Sequence, residues 1–382
     1  MRFPEFHGEW CVSTIGEQFD LYSGNTPSRL NKEHFEGNVN WITSGELKEH
    51  YISDTKEKIS EDAATANNLK LLHPGTFVIA IYGLEADGVR GTGSITCKES
   101  TISQACMAFT QKGDVKNEFL YSWYKKHGNI IGIKYAQGTK QQNLSYDILE
   151  KFHIAYPSQD EQDKLIKFIS LLDERIASQS KLIEKLESLI KGIVDCTILR
   201  KEKNAIVGDV CSISEQIRAE ANIDDIITVR LHGNGVYKSS AENLQLGATQ
   251  YYRRRAGQLI YGKQNFHNGA IGIVPISLDN GITSKDIPSF DIDEMKCNSV
   301  YLLAQLQSPQ YYKPAEALTT GTGSKRLKEE TFLQLPIVLP NKREQDNIAV
   351  LIHRASMNLD HAKRLLELLS IQKQFLLRQM FI

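Results

Sequence analysis

Apolar residues recur in steps of three and four along two stretches of the chain. After Pro157, with Ser158 as a candidate cap, Leu165, Ile169, Leu172, Ile176, Ile183, Leu186, Ile190 and Ile193 fall on one helical face, broken by Gln179. Further on, Ile348, Ile352, Ala355, Leu359, Ala362, Leu366, Leu369 and Leu376 do the same, broken by Lys373. This spacing is the heptad seam of a long amphipathic helix. Each stretch covers about 35 residues, which predicts helices roughly 50 Å long. Apolar stripes of that length need a cover, and the simplest is each other. Because a globular segment separates them in sequence, an antiparallel pairing closes easily, with one globular domain at each end.

Between the seams the pattern changes. Phe77–Tyr82 and Gly257–Tyr261 read as short strands opened by glycine turns, and Glu118–Tyr124 and Val300–Leu306 as helical segments. Many short strands between Gly, Asn and Ser loops predict an α+β fold rather than a doubly wound sheet. The arrangement occurs twice. At an offset of 183, Leu144 aligns with Leu327, Ile154 with Ile337, Pro157 with Pro340, and Glu161-Gln162-Asp163 with Glu344-Gln345-Asp346. A fainter match pairs Val12–Gly16 with Asn204–Gly208. So long a period implies tandem domains rather than a solenoid. The expected divisions are a globular domain at 1–157, a long helix at 158–203, a second globular domain at 204–340 and a second long helix at 341–382, antiparallel to the first.

A length of 382 residues, 41% hydrophobic and 24% charged, suits a soluble protein of two or three domains. No window approaches the roughly 18 uncharged apolar residues of a membrane helix, and Met1–Phe6 holds no apolar signal core, so a cytoplasmic location is expected. The six cysteines form no C-x-x-C pair, and each reads as a small buried hydrophobe rather than a disulfide or zinc ligand. The net charge of −1 hides two basic zones. Residues 88–143 carry eight Lys and Arg against three acids, and residues 228–275 carry six against Glu242 alone. A charge run is usually a solvated face, so the zones only suggest phosphate binding.

Catalytic signatures are missing. Gly257–Lys263 fits G-x-x-x-x-G-K, but Gln264 follows where a magnesium-binding hydroxyl is required. There is no G-x-G-x-x-G, no Pro-Pro step, and no H-x-x-x-H spacing for a metal. Glu46-Leu47-Lys48 and Glu294-Met295-Lys296 match only the tail of a nuclease pattern. The chain is expected to be non-catalytic and to bind no metal or cofactor.

Several polar segments suit nucleic-acid contact, which calls for Arg, Lys, Asn and Gln at base edges and basic groups at phosphates. In the first half these are Gly138 with Thr139, Lys140, Gln141, Gln142 and Asn143; the turn Thr43, Ser44, Gly45; Tyr82 after a strand; and Arg90 and Lys134 in the basic zone. Thr43 to Gly45 could equally cap the helix starting at Glu46, and Tyr82 could equally be core. In the second half they are Arg230; Tyr252, Arg253 and Arg255, with alternation turning Arg254 away; Lys263 and His267; and Gly321 with Thr322, Ser324, Lys325 and Arg326.

The ordered set resembles the DNA-specificity subunits of Type I restriction-modification systems over essentially the whole chain. It comprises Trp10–Gly16, Trp41–Leu47, the loops Gly138–Leu144 and Gly321–Leu327, and a proline, Glu-Gln and long helix present twice. The second half departs from the pattern, with only Thr228–Gly233 in place of Trp41–Leu47. The resemblance implies two mixed α/β target recognition domains separated by antiparallel coiled-coil helices, each reading one half of a split double-stranded DNA site. It further implies two modification subunits docked on the helices, with S-adenosylmethionine on those partners, and motor-nuclease subunits where a system has them. The competing reading is a coiled-coil scaffold that binds proteins and no DNA.

Overall fold

The computed structural model describes residues 1–86, 88–138, 142–239, 249–321 and 325–381. It is a mixed α/β chain that divides into two units, Met1–Ser178 with Leu365–Ile382, and Gln179–Arg364.

The first unit contains β1 (Cys11–Thr14), β2 (Phe19–Ser23), β3 (Val39–Ile42), β4 (Tyr51–Ile52), β5 (Lys58–Ile59), β6 (Phe77–Ala80), β7 (Gly93–Thr96), β8 (Ser100–Ile102), β9 (Cys106–Gln111) and β10 (His153–Tyr156). A five-stranded sheet runs in the order β2-β9-β6-β7-β4, and a smaller one in the order β5-β3-β8. Phe77, Val78, Ile79 and Ala80 are all fully buried. A strand covered on both faces reads as a continuous apolar run, which is why β6 was visible without alternation. The helix Asn117–Tyr135 covers the sheet, with the Tyr124 and Phe109 rings 5.7 and 5.5 Å from that of Phe77.

The second unit contains β11 (Ala205–Ile206), β12 (Cys211–Ile213), β13 (Arg218–Ala219), β14 (Ile227–Val229), β15 (Val236–Lys238), β16 (Tyr251–Arg253), β17 (Leu259–Tyr261), β18 (Ile271–Ile273), β19 (Ile282–Ser284), β20 (Ser289–Ile292) and β21 (Pro336–Ile337). Its sheets are β12-β20-β17-β18, β13-β16-β19 and β14-β15. The helix Ser299–Leu306 stands where the sequence predicts one.

The duplication is visible in how each unit closes. In the first, β1 pairs antiparallel with β10, and in the second β11 pairs antiparallel with β21. In each, the later strand of the pair leads into a long helix: Gln159–Val194, continued by a π-turn to Leu199, and Lys342–Met380. Ser158 Oγ accepts from Glu161 N, and Asn341 Oδ1 from Glu344 N, so both helices carry side-chain caps. Within the second unit Gln179 reaches the Ala362 carbonyl while Val194 shares a core with Ile352 and Ile348, so the two segments run antiparallel there. Within the first unit Leu165 and Ile169 share a core with Leu376, Leu377, Met380 and Phe381.

Both helices are anchored by the same device. Gln162 is completely buried; its Oε1 accepts from Lys116 N at 3.0 Å, and its Nε2 donates to Asp114 O and Pro157 O. Gln345, at 1% exposure, repeats this with Asn298 N at 2.9 Å, Lys296 O and Pro340 O. Lys116 and Asn298 are the cap residues of the helices Asn117–Tyr135 and Ser299–Leu306. One amide thus ties the long helix, the shorter helix and the intervening loop together. The neighbouring glutamates are held from before the first strand of each unit: Glu161 takes Arg2 bidentately at 2.7 and 2.5 Å, and Glu344 pairs with Lys201.

The cysteines correct one expectation. Cys106, Cys211 and Cys297 are buried, whereas Cys11, Cys97 and Cys196 are exposed. Cys11 opens a strand of a two-stranded sheet, Cys97 follows a strand end, and Cys196 lies on the outer side of the π-turn, all places where a core is within a residue or two in sequence but not in space.

Each buried polar group left unpaired costs ~1–3 kcal/mol. Gln162→Leu and Gln345→Leu, which each orphan one N–H and two carbonyls, should lower stability by at least ~2 kcal/mol in urea titrations. Parental midpoints would show that water replaces the amide.

Candidate nucleic-acid interface

The two polar loops singled out in the sequence rise from identical stems. Gln137 and Asn143 exchange backbone hydrogen bonds at 2.9 Å each, and Thr320 and Arg326 do so at 3.0 and 2.9 Å. Each loop opens on a glycine in the left-handed region, Gly138 at φ +116° and Gly321 at +131°, which side chains disfavour. After each stem a leucine N–H bonds to the segment leaving the central strand: Leu144 to Ile81 O at 2.8 Å, and Leu327 to Lys263 O at 2.9 Å. Both leucines are buried at 1% exposure or less. The loops therefore sit on rigid elements. Thr139, Lys140, Gln141, Thr322 and Ser324 lie outside the described residues.

In the first unit the stem gathers several of the predicted residues. Arg90 Nη2 donates to Gln142 Oε1 at 3.0 Å, and Glu85 accepts from Gln142 N at 2.8 Å. Tyr82, Asn143, Ser23 and Tyr146 line a cavity of about 520 Å³ beside the stem, and Asn143 Oδ1 is buried with no hydrogen-bond partner among the described residues. Ser23 and Tyr146 carried no sequence signal, being single residues on separate elements. Thr43 is engaged in a cap, its N–H and hydroxyl both donating to Glu46 at 2.9 and 2.8 Å, with Ser44 half-buried and Gly45 exposed on the turn. Lys134 is not brought to the stem; it lines a separate cleft with Trp123, His127 and Phe152.

In the second unit the predicted cations meet acids. Lys263 pairs with Glu329 at 2.7 Å and is mostly buried, Arg326 with Asp286 at 3.2 Å, and Lys325 with Glu316 at 3.6 Å. The guanidinium of Arg230 lies 4.0 Å from the Tyr237 ring centroid, and His267 adjoins Asn268, whose carbonyl accepts from His232 N. Arg253 and Arg255 are exposed and Tyr252 half-buried, while Arg254 is fully buried. Arg254 donates to Thr283 Oγ1 at 2.7 Å, Ser289 Oγ at 2.9 Å, Ile287 O at 3.0 Å and Gln216 Oε1 at 3.4 Å. These acceptors are all neutral. Burial brings the guanidinium down to about 10, so it stays charged at neutral pH beneath its two exposed neighbours.

The basic zones are less continuous in space than in sequence. Lys112 pairs with Asp20 at 2.9 Å, Lys116 with Asp163 at 2.5 Å, and Lys126 donates to the Phe381 carbonyl. Those three hold the first unit together, so the sequence-local excess overstated the charge offered to a phosphate. The acids that answer them are remote in sequence and gave no signal.

Comparison with known proteins bears on this geometry. Residues 7–188 match the family model described as the Type I restriction modification DNA specificity domain. The Type I restriction enzyme MjaIX specificity subunit of Methanocaldococcus jannaschii is 28% identical over 185 residues, 47% of this chain and 42% of that protein. The chain thus aligns with less than half the length of that relative. The MjaVIII specificity subunit of the same organism is 20% identical over 91% of this chain and 87% of its own length. The crystal structure of a Type I restriction-modification S subunit from M. genitalium superposes with a TM-score of 0.65 at 15% identity, covering 100% of this chain and 99% of that one. A structure described as underlying complex assembly and conformational transition of the type I R-M system gives 0.55 at 12% identity, covering 98% of each chain. At those identities the structural likeness speaks for the fold.

The arginine triplet separates structural from surface roles. Arg254→Ala should cost about 2–4 kcal/mol by leaving a cavity and unpaired acceptors. Arg253→Ala and Arg255→Ala should stay within ~0.5 kcal/mol. Equal denaturation midpoints for all three would contradict the buried assignment.

Proposed function

Since this chain is a relative of Type I restriction-modification specificity subunits, we infer that it is the non-catalytic DNA reader of such a complex. Each unit reads one half of a bipartite double-stranded site. The observation that carries this is the duplicated stem: one backbone frame presents different side chains, Gln142 and Asn143 in the first unit and Lys325 and Arg326 in the second. A shared frame with divergent tips is what two unlike half-sites demand. Amide side chains suit adenine edges, and guanidinium forks suit guanine or phosphate.

The ion pairs fit a switchable surface. Exposed pairs such as Arg326–Asp286 contribute ~0–1 kcal/mol. Exchanging a carboxylate for a phosphate is therefore inexpensive, and the released counterions favour it. The net charge of −1 implies weak binding by the free chain. The remaining electrostatic attraction comes from partners: two adenine-methyltransferase subunits docked on the long helices, which bring S-adenosylmethionine, joined by motor-nuclease subunits where present. The complex works in the cytoplasm; among the described residues no helix is long and apolar enough to cross a membrane. Under this reading the helices also set the spacer between half-sites.

Adenine-methylation mapping in a methylation-free host, with the methyltransferase partner and with or without this chain, should yield a split motif only when the chain is present. A soluble, assembled complex with no chain-dependent methylation would favour a protein-binding scaffold instead. Arg326→Ala should weaken DNA binding and flatten its dependence on salt by about one unit of slope, measured by titration at several ionic strengths. Inserting one heptad in both long helices should lengthen the preferred spacer, and the same mapping would reveal an unchanged one.

A further inference from the structure

His50 occupies a cluster that the DNA-reading geometry leaves unused. Its ring is stacked between Tyr51 and Tyr121, with centroids 4.1 and 3.9 Å away and planes within 9° and 2°. Nε2 lies 2.8 Å from Glu118 Oε2 on the helix Asn117–Tyr135, and Nδ1 lies 3.7 Å from Asp173 Oδ2 on the first long helix. Asp173 in turn pairs with Lys373 on the second long helix. Two aromatic faces and two carboxylates form a setting for an imidazolium rather than a neutral ring.

The main chain links this cluster to the turn carrying Thr43, Ser44 and Gly45. Glu46 closes that turn, Leu47 is completely buried, and the carbonyls of Glu49 and His50 accept from Ser94 Oγ at 2.6 Å and Ile95 N at 2.7 Å. The segment is pinned to β7 by its backbone and, through the His50 ring, to the helix Asn117–Tyr135 and the first long helix, whose Asp173 is shared with Lys373. We propose that His50 is a protonation-dependent positioning residue, holding the 43–52 segment against the helix Asn117–Tyr135 and the first long helix so that DNA engagement weakens as the imidazolium loses its proton. This rests on the DNA-reading function inferred above.

The charged and titratable groups facing His50 are Glu118, Tyr121 and Lys125 on one helix, Asp173 and Lys373 on the long helices, Glu49 and Tyr51 on its own segment, and Cys97 after β7. Burial depresses the imidazolium, but the carboxylate charges of Asp173 and Glu118, with the hydrogen bond to Glu118, outweigh it and raise His50 above its usual value. A raised folded pKa means the clasp is intact at low pH and is lost as pH rises through that value. Lys125, which burial and Lys373 bring down to about 8, titrates nearby. It remains in a His50→Gln variant, so the difference between the two profiles isolates His50.

The test uses the full chain assembled with its methyltransferase partners and a duplex carrying the mapped motif, with Kd measured from pH 6 to 8.5. The parental complex should lose affinity on raising the pH by roughly threefold more than His50→Gln, within the tenfold per unit that one proton permits. Asp173→Asn, which keeps the shape and removes a charge, should move the inflection to lower pH. In the free chain the His50 ring resonance should titrate above the ordinary value of about 6.5. Parallel profiles for parent and His50→Gln, or a ring titrating at or below its ordinary value, would overturn the clasp alone. Absence of sequence-specific binding by the parent at every pH would remove the DNA-reading function and the proposal with it.

Discussion

A single buried amide, present once in each unit, is the constraint on which the architecture rests. Gln162 and Gln345 each satisfy the cap N–H of a shorter helix and two loop carbonyls, all in places where water has little access. A glutamate would keep the cap N–H as a donor to one oxygen but turn the other, charged, against two carbonyls, and an aliphatic residue would leave three groups unpaired. A glutamine placed four residues after Ser158 or Asn341 lets the first turn of a long helix grow out of a globular domain at a defined angle. The β1·β10 and β11·β21 pairs feed that joint from the other side. Everything downstream inherits its direction from the joint, including the seam of each helix.

The seams were the most legible part of the sequence, because heptad spacing is a property of neighbours in the chain. Leu165, Ile169, Ile348, Ile352, Ala355, Ala362, Leu369 and Leu376 are buried, and the remaining seam positions are half-buried. Even the two exceptions have a reason: Gln179 donates to the Ala362 carbonyl at 3.0 Å, and Lys373 pairs with Asp173. The alternation that turned Arg254 from its neighbours was equally local, and Arg254 is indeed buried while Arg253 and Arg255 are not. What stayed illegible was nonlocal. The partners of Lys112, Lys116, Lys263 and Arg326 lie between 40 and 92 positions away, and no periodicity announces them. The exposed cysteines failed for the same reason, since an apolar neighbourhood in sequence is not one in space.

The loop stems show how a duplicated protein can keep a frame and change its content. The frame is made of backbone hydrogen bonds, an αL glycine and one buried leucine, none of which depends on the residues at the tip. Side chains there can vary without disturbing the core, whereas the residues below cannot. The second unit surrounds its cations with Asp286, Glu316 and Glu329, and the first places Arg90 against an amide. Equivalent scaffolds thus carry unlike electrostatics.

The first unit is assembled from both ends of the chain, with Leu376, Leu377, Met380 and Phe381 filling a core whose other members precede residue 178. On a ribosome those four residues are made after every other residue of either core. The 186 residues from Gln179 to Arg364 intervene, and at ~5–20 residues per second their synthesis takes about 10–40 s. During that interval the first domain has Phe119, Leu165 and Ile169 without their cover, while the second has all of its own sequence available to it earlier. The order of maturation therefore runs against the order of synthesis: of the two units, the one begun earlier is completed later.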